Sequence, residues 1–183
     1  RSVPASLRTL VGAPAPACAA VCAWRAAHVS SLRLASRGPH VHTVWSASKD
    51  LGMTGARVGL LVSQHAALHA AIDSLAALCG VAMPTQVLLR DLLRSGAADA
   101  FLEAYRDALR RTYETVAACL ARHGLAHTPP DGGCFLYVDL RAWYGEDDGA
   151  WRHLFNETGI LLTPGVAQHA PLPGHARLCF ARD

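Results

Sequence analysis

Residues 97–123 carry the longest uninterrupted helical pattern in the chain, and any fold has to accommodate it. Phe101, Tyr105, Ala108, Thr112, Val116 and Cys119 step by three or four residues, and Gly124 supplies a C-cap. The opposite face carries Glu103, Arg106, Asp107, Arg110, Arg111 and Glu114, the composition of a solvated side. Before this helix, 40–46 (HVHTVWS) alternates in the period of a strand, and the continuous apolar run at 57–62 (RVGLLV) predicts a buried strand. A helix is predicted over 64–78 and another over 84–93, the second with Pro84 in its first turn and Gly96 just past its end. After the long helix, strands are predicted at 133–140, 160–162 and 177–181 and a helix at 149–158, with turns at 129–133 and 163–165. No internal repeat is present. The whole reads as an α/β chain whose tail is a small α+β unit behind a long helix.

Composition narrows the class. Of 183 residues 51% are hydrophobic and 17% charged, which suits a buried core, and a net charge of +3 does not point to nucleic acid. The charge is unevenly placed. Residues 1–49 hold Arg1, Arg8, Arg25, Arg33, Arg37 and Lys49 but no Asp or Glu, whereas both signs mix from Asp50 onward. Residues 1–39, rich in Ala, Pro, Arg and Ser, show no sustained period. They are expected to be disordered, or to derive from shifted-frame or non-coding sequence joined near 31–40. The six cysteines form no C-x-x-C pair and read as free thiols in a reducing compartment. The apolar stretch 9–24 is broken by Pro14 and Pro16, and no run approaches the roughly 20 residues that span a bilayer. That stretch also resembles the middle of a secretory signal or a transit peptide, so the cytoplasm is the expected location and an organelle the alternative, with no membrane partner.

The chemistry concentrates in residues 46–59, S-A-S-K-D-L-G-M-T-G-A-R-V-G. A lysine condenses with a carbonyl only as the free amine, a form favoured by burial or by a nearby positive charge. Lys49 is the candidate amine and Arg57 the candidate neighbour. A phosphate dianion asks for a planar two-pronged cation, which is arginine, and Ser46 and Ser48 add neutral hydroxyl donors. Gly52, Gly55 and Gly59 let the backbone fold back so that Lys49 and Arg57 can approach one ligand. The plain alternative is a strand, turn and strand with ordinary surface cations. A bare S-x-S-K is weak evidence; the whole string is specific, because five residue types must fall at fixed offsets.

This string resembles the cofactor-lysine signature of the class I/II aminotransferases of fold type I. It is most similar to the 1-aminocyclopropane-1-carboxylate synthase-like branch, with S-L-S-K-D-x-G-x-P-G-F-R-V-G; here Thr54 replaces the proline and Ala56 the phenylalanine. The resemblance implies that Lys49 holds pyridoxal 5'-phosphate as an aldimine and then shuttles the substrate α-proton. It further implies that Ser46 and Arg57 bind the phosphate and that Ser48 lies beside it in the cofactor site. Far along the chain, R-L-C-F-A at 177–181 resembles the family strand whose arginine pairs with the substrate carboxylate, which makes Arg177 the substrate-binding candidate. Without the first motif, Arg177 would read as a surface cation on an edge strand. Weaker similarities are G-G-C-F at 132–135, T-P-G at 163–165 and M-P-T-Q at 83–86.

The resemblance covers 40–183 and implies a partial fold: 40–96 as a remnant of the large cofactor-binding domain, 97–183 as the long helix and small C-terminal domain. The amino-acid substrate would be transaminated, or enter lyase chemistry of the synthase kind, in a homodimer when the protein is complete. The family's acidic partner for the pyridine nitrogen lies upstream of the lysine, where this sequence has no acid. A catalytically incomplete chain that binds cofactor or a full-length partner is therefore the competing expectation. Other candidates are weaker. His65 and His69 have metal-pair spacing but no third ligand nearby, so no metal is expected; Glu146, Asp147 and Asp148 read as a solvated turn. No phosphate-cradling or dinucleotide-type glycine loop occurs.

Overall fold

The computed structural model describes residues 38–181; the expectations for residues 1–37, Cys18 and Cys22 among them, lie outside the described residues. The described chain divides into two compact units, 38–104 and 105–181, with the boundary inside the long helix.

In the first unit β1 (Thr43–Ser46) pairs antiparallel with β2 (Gly59–Val62), Thr43 opposite Val62 and Ser46 opposite Gly59. The twelve residues between them hold a single helical turn, α1 (Ala47–Asp50), and a 3₁₀ turn, Thr54–Ala56. The expectation of a buried β2 needs correction. Gly59 is exposed and Leu60, Leu61 and Val62 are only half-buried, because β1 is its sole strand partner among the described residues. Helix α2 (Ala66–Cys79) starts on His65, whose Nδ1 accepts the Leu68 N–H at 3.1 Å, and it leaves Ile72 and Leu75 exposed. Helix α3 (Met83–Arg94) tolerates Pro84 because the first turn has no intrahelical use for its missing N–H.

The core of this unit is what holds the motif. Ala47, Leu51 and Val58 from the β1–β2 connection are buried with Leu89 of α3 and with Ala98 and Leu102 of α4 (Ala97–Arg122). Trp45, Met53 and Leu92 pack against them. Truncating a side chain as enclosed as Leu102, 2% exposed, to alanine costs about 2–5 kcal/mol.

The buried side of α4 is rotated from the expected one. Ala98, Leu102, Leu109 and Leu120 are buried, Tyr105, Ala108, Thr112, Val116 and Cys119 are half-buried, and Phe101 is 45% exposed. Apolar residues occupy two adjacent rows of this helix, and periodicity alone does not say which row faces inward. The helix stops at a left-handed Gly124, with the Leu125 N–H returning to the Leu120 carbonyl at 2.9 Å.

In the second unit β3 (Phe135–Asp139), β5 (His175–Cys179) and β4 (Thr163–Pro164) form an antiparallel sheet in the order β3-β5-β4. Leu136, Val138 and Ala176 are buried on one face. The short α5 (Arg141–Tyr144) follows β3, and α6 (Ala150–Thr158) buries Ala150 and Leu154. The strand expected at 160–162 does not form. Gly159 takes a left-handed cap and the Ile160 N–H is held by Thr158 Oγ1 at 3.1 Å, so pairing with β5 begins only at Thr163.

Candidate active site

The serines and the lysine sit where β1 gives way to α1. Ser46 ends the strand with extended backbone and caps the turn, its Oγ accepting the Ser48 N–H at 3.1 Å. Helical periodicity then separates the neighbours: Ala47 and Asp50 are buried, Ser48 is half-buried and Lys49 is exposed. The two hydroxyls lie 2.9 Å apart, within hydrogen-bond distance of each other. Ser46 Oγ also lies 3.3 Å from the Val58 carbonyl, which ties this end of β1 to the residue after Arg57. The carboxylate of Asp50 accepts the Trp45 indole N–H at 2.6 Å and so braces the lysine turn from inside.

Arg57 terminates the 3₁₀ turn in the left-handed region, φ 49°. It is exposed, and one guanidinium N–H donates to the Thr54 carbonyl at 3.3 Å. Thr54 in turn donates its hydroxyl to the Ser48 carbonyl at 3.1 Å. Ser48, Thr54 and Arg57 are thus linked in series, and the threonine that departs from the resembled pattern provides the link. Ser46, Ser48, Lys49 and Arg57 all belong to one rigidly packed connection in the first unit. Two hydroxyls and a guanidinium suit a phosphate, and an exposed primary amine three residues from Ser46 suits a carbonyl.

Arg177 belongs to the second unit, on β5, the central strand of its sheet and not an edge. It stands opposite Tyr137 on β3 and Thr163 on β4. Its Nη1 donates to the Gln168 side-chain oxygen at 2.7 Å, its Nη2 lies 3.4 Å from Thr163 Oγ1, and its Cζ sits 4.5 Å from the centre of the Phe135 ring. Gln168 reaches it from a 3₁₀ turn, Val166–Gln168, pinned to β5 through Gly165. The Gly165 N–H donates to the His175 carbonyl at 2.9 Å, and a Cβ on Gly165 would come within 2.5 Å of that oxygen. The sequence reading missed Gln168 and the Trp45–Asp50 pair. Neither has a local signal, since each is defined by which strand end or turn lies alongside.

Below Arg177 on the same strand, His175 comes within 3.9 Å of Asp139, and Arg141 grips Asp139 through two side-chain bonds at 2.9 and 2.7 Å. Those bonds, led by the Arg141 guanidinium, draw the Asp139 carboxyl down to about 2. His65 and His69 have structural roles, as the cap of α2 and as a partner of the Ser63 carbonyl at 2.7 Å. No metal-binding group of His, Cys, Asp and Glu occurs among the described residues, and no described helix is long and apolar enough to cross a membrane.

Comparison with known proteins places this geometry in a family. The model for aminotransferase class I and II matches residues 18–183. The rice (Oryza sativa subsp. japonica) 1-aminocyclopropane-1-carboxylate synthase 4 is 35% identical over 152 residues, covering 77% of this chain and 31% of that protein. Synthase 11 of Arabidopsis thaliana is 31% identical over 147 residues, covering 77% of this chain and 32% of its own length. Among solved structures, a tetra mutant of Thermus thermophilus aspartate aminotransferase superposes with a TM-score of 0.77 at 26% identity, over 90% of this chain and 44% of that one. The chain therefore spans about a third of these synthases and under half of that aminotransferase. The lysine motif, the arginine strand and the matched fold agree: this chain belongs to the class I and II aminotransferases.

Proposed function

We propose that this chain carries the lysine, the phosphate cradle and the carboxylate-binding arginine of a pyridoxal-phosphate-dependent enzyme acting on an amino acid. The reaction is a transamination, or lyase chemistry like that of the synthases it resembles. The observation that carries the reading is the series Ser46, Ser48, Thr54 and Arg57 on the same short connection as the exposed Lys49. Members of the family use pyridoxal 5'-phosphate, and this donor set fits its phosphate and its aldehyde. When bound, the cofactor supplies a carbonyl that condenses with amines and a ring that accepts the electron pair of the substrate α-carbon. Ser46, Ser48 and Arg57 hold the phosphate. The Lys49 amine would hold the cofactor carbonyl at rest and would serve as the base and acid for the substrate α-proton. Arg177 holds the substrate carboxylate. For the whole protein we propose a homodimer, the usual assembly of the family.

Lys49 is the only lysine in the sequence, and arginine does not condense with aldehydes under these conditions, so the only other primary amine is the chain terminus, which peptide mapping separates from Lys49. Pyridoxal phosphate added to the purified chain is expected to give a visible absorbance band. Borohydride should then fix one cofactor mass on the peptide containing Lys49. Lys49→Ala should carry no adduct on that peptide and lose most of the band, and equal signals in both proteins would overturn the assignment.

A second reading has its own support. This chain spans about a third of the synthases it matches, 31% and 32% of their lengths. Cofactor capture without turnover of any amino acid would identify a chain that binds the cofactor, or a full-length partner, and does not complete the reaction.

A further inference from the structure

Arg177 has three partners, and all are neutral: the Gln168 amide oxygen, the Thr163 hydroxyl and the Phe135 ring. Arg90, Arg110 and Arg141 pair with Asp91, Asp107 and Asp139, whereas no carboxylate among the described residues lies within ion-pair distance of Arg177. A half-buried guanidinium held by dipoles alone keeps its whole charge for an incoming anion. Two of its five N–H groups are used by these partners, and the ring beneath fixes its plane. The Gln168 contact comes from a turn pinned to the same strand at Gly165, so the guanidinium is oriented before any ligand arrives.

We propose that Gln168 is a positioning residue: it orients Arg177 through a neutral acceptor, leaves the charge uncompensated, and so makes the site selective for a carboxylate over its uncharged amide. The inference rests on the reading of Arg177 as the carboxylate partner. A carboxylate in place of the Gln168 amide would keep the shape and the hydrogen bond but occupy the charge. The same turn would then compete with the ligand instead of presenting Arg177 to it.

The experiment follows the nitrogen–proton NMR signal of the Arg177 side chain in the full chain, assigned by its loss in Arg177→Lys, during titration with L-alanine or L-alaninamide. L-Alanine is expected to shift the signal and L-alaninamide not to. Gln168→Glu should weaken L-alanine binding by roughly 10- to 100-fold, the range of one charge-assisted bond. Gln168→Met, which removes the acceptor without adding charge, should weaken it less and broaden the arginine signal. It also supplies the answer if Gln168→Glu does not fold. Unchanged affinity in the folded variants, equal response to the amide, or no Arg177-dependent shift overturns the proposal. Cofactor capture at Lys49 is read separately. Capture with no Gln168 effect overturns this inference alone; a Gln168 effect without capture overturns the cofactor reading alone.

Discussion

Arg57 occupies a left-handed backbone conformation, φ 49°, that disfavours a side chain with a Cβ by about 1–2 kcal/mol. Such outliers persist where surrounding structure imposes them, and they concentrate at ligand sites. Asparagine tolerates this region better, so Arg57→Asn should melt no lower than the parent in a thermal scan. Its affinity for pyridoxal phosphate should nevertheless fall by roughly 10- to 100-fold in an absorbance titration, the loss of one charged donor. A parallel loss of stability would mean that Arg57 serves the fold and not the phosphate. Asp139 gives a pH prediction. Its carboxyl is depressed to about 2 by Arg141, so its contribution to stability is complete above the ordinary carboxylate range and disappears as pH falls toward 2. Denaturation of the parent should become easier from about pH 4 downward. Asp139→Asn should be less stable at neutral pH and should lose that part of the acid sensitivity. At this scale the candidates Ser46, Ser48, Lys49, Arg57 and Arg177 were named from local strings. Gln168 could not be, because its partner is nine residues away across a turn whose path no local pattern specifies.

Among the elements, the 3₁₀ turn after β4 is the most sensitive. Gly165→Ala places a methyl 2.5 Å from a backbone oxygen of β5, which cannot move without disturbing the sheet. A urea titration should show a loss of about 1–3 kcal/mol, with the arginine signal of Arg177 altered even where the variant stays folded. A smaller effect would mean that the turn is free to shift. Helices 64–78, 84–93 and 97–123 were legible within a few residues, because caps, prolines and glycines punctuate them locally. The inward face of α4 and the strand at 160–162 were misread for one reason. Both depend on which neighbour lies against the segment, and Leu102 is buried while Phe101 is not only because of what packs there.

For the molecule as a whole, the first unit leaves much apolar side chain in solvent. Val44 is 77% exposed, and Leu75, Met83 and Leu88 are also uncovered. Apolar exposure of this kind drives association. The purified chain should therefore self-associate with rising concentration in sedimentation velocity, and the double variant Leu75→Lys, Leu88→Lys should do so less. A chain that stays monomeric throughout would count against the idea. Family membership was determined by the sequence alone, since a fixed string of side-chain types at fixed offsets survives without knowledge of the fold. Tertiary structure decided the rest. It placed Arg177 on a central strand, supplied it with neutral partners, and threaded Ser48, Thr54 and Arg57 into one hydrogen-bonded series. Those facts depend on register and packing between distant segments, and distance along the chain does not encode distance in space.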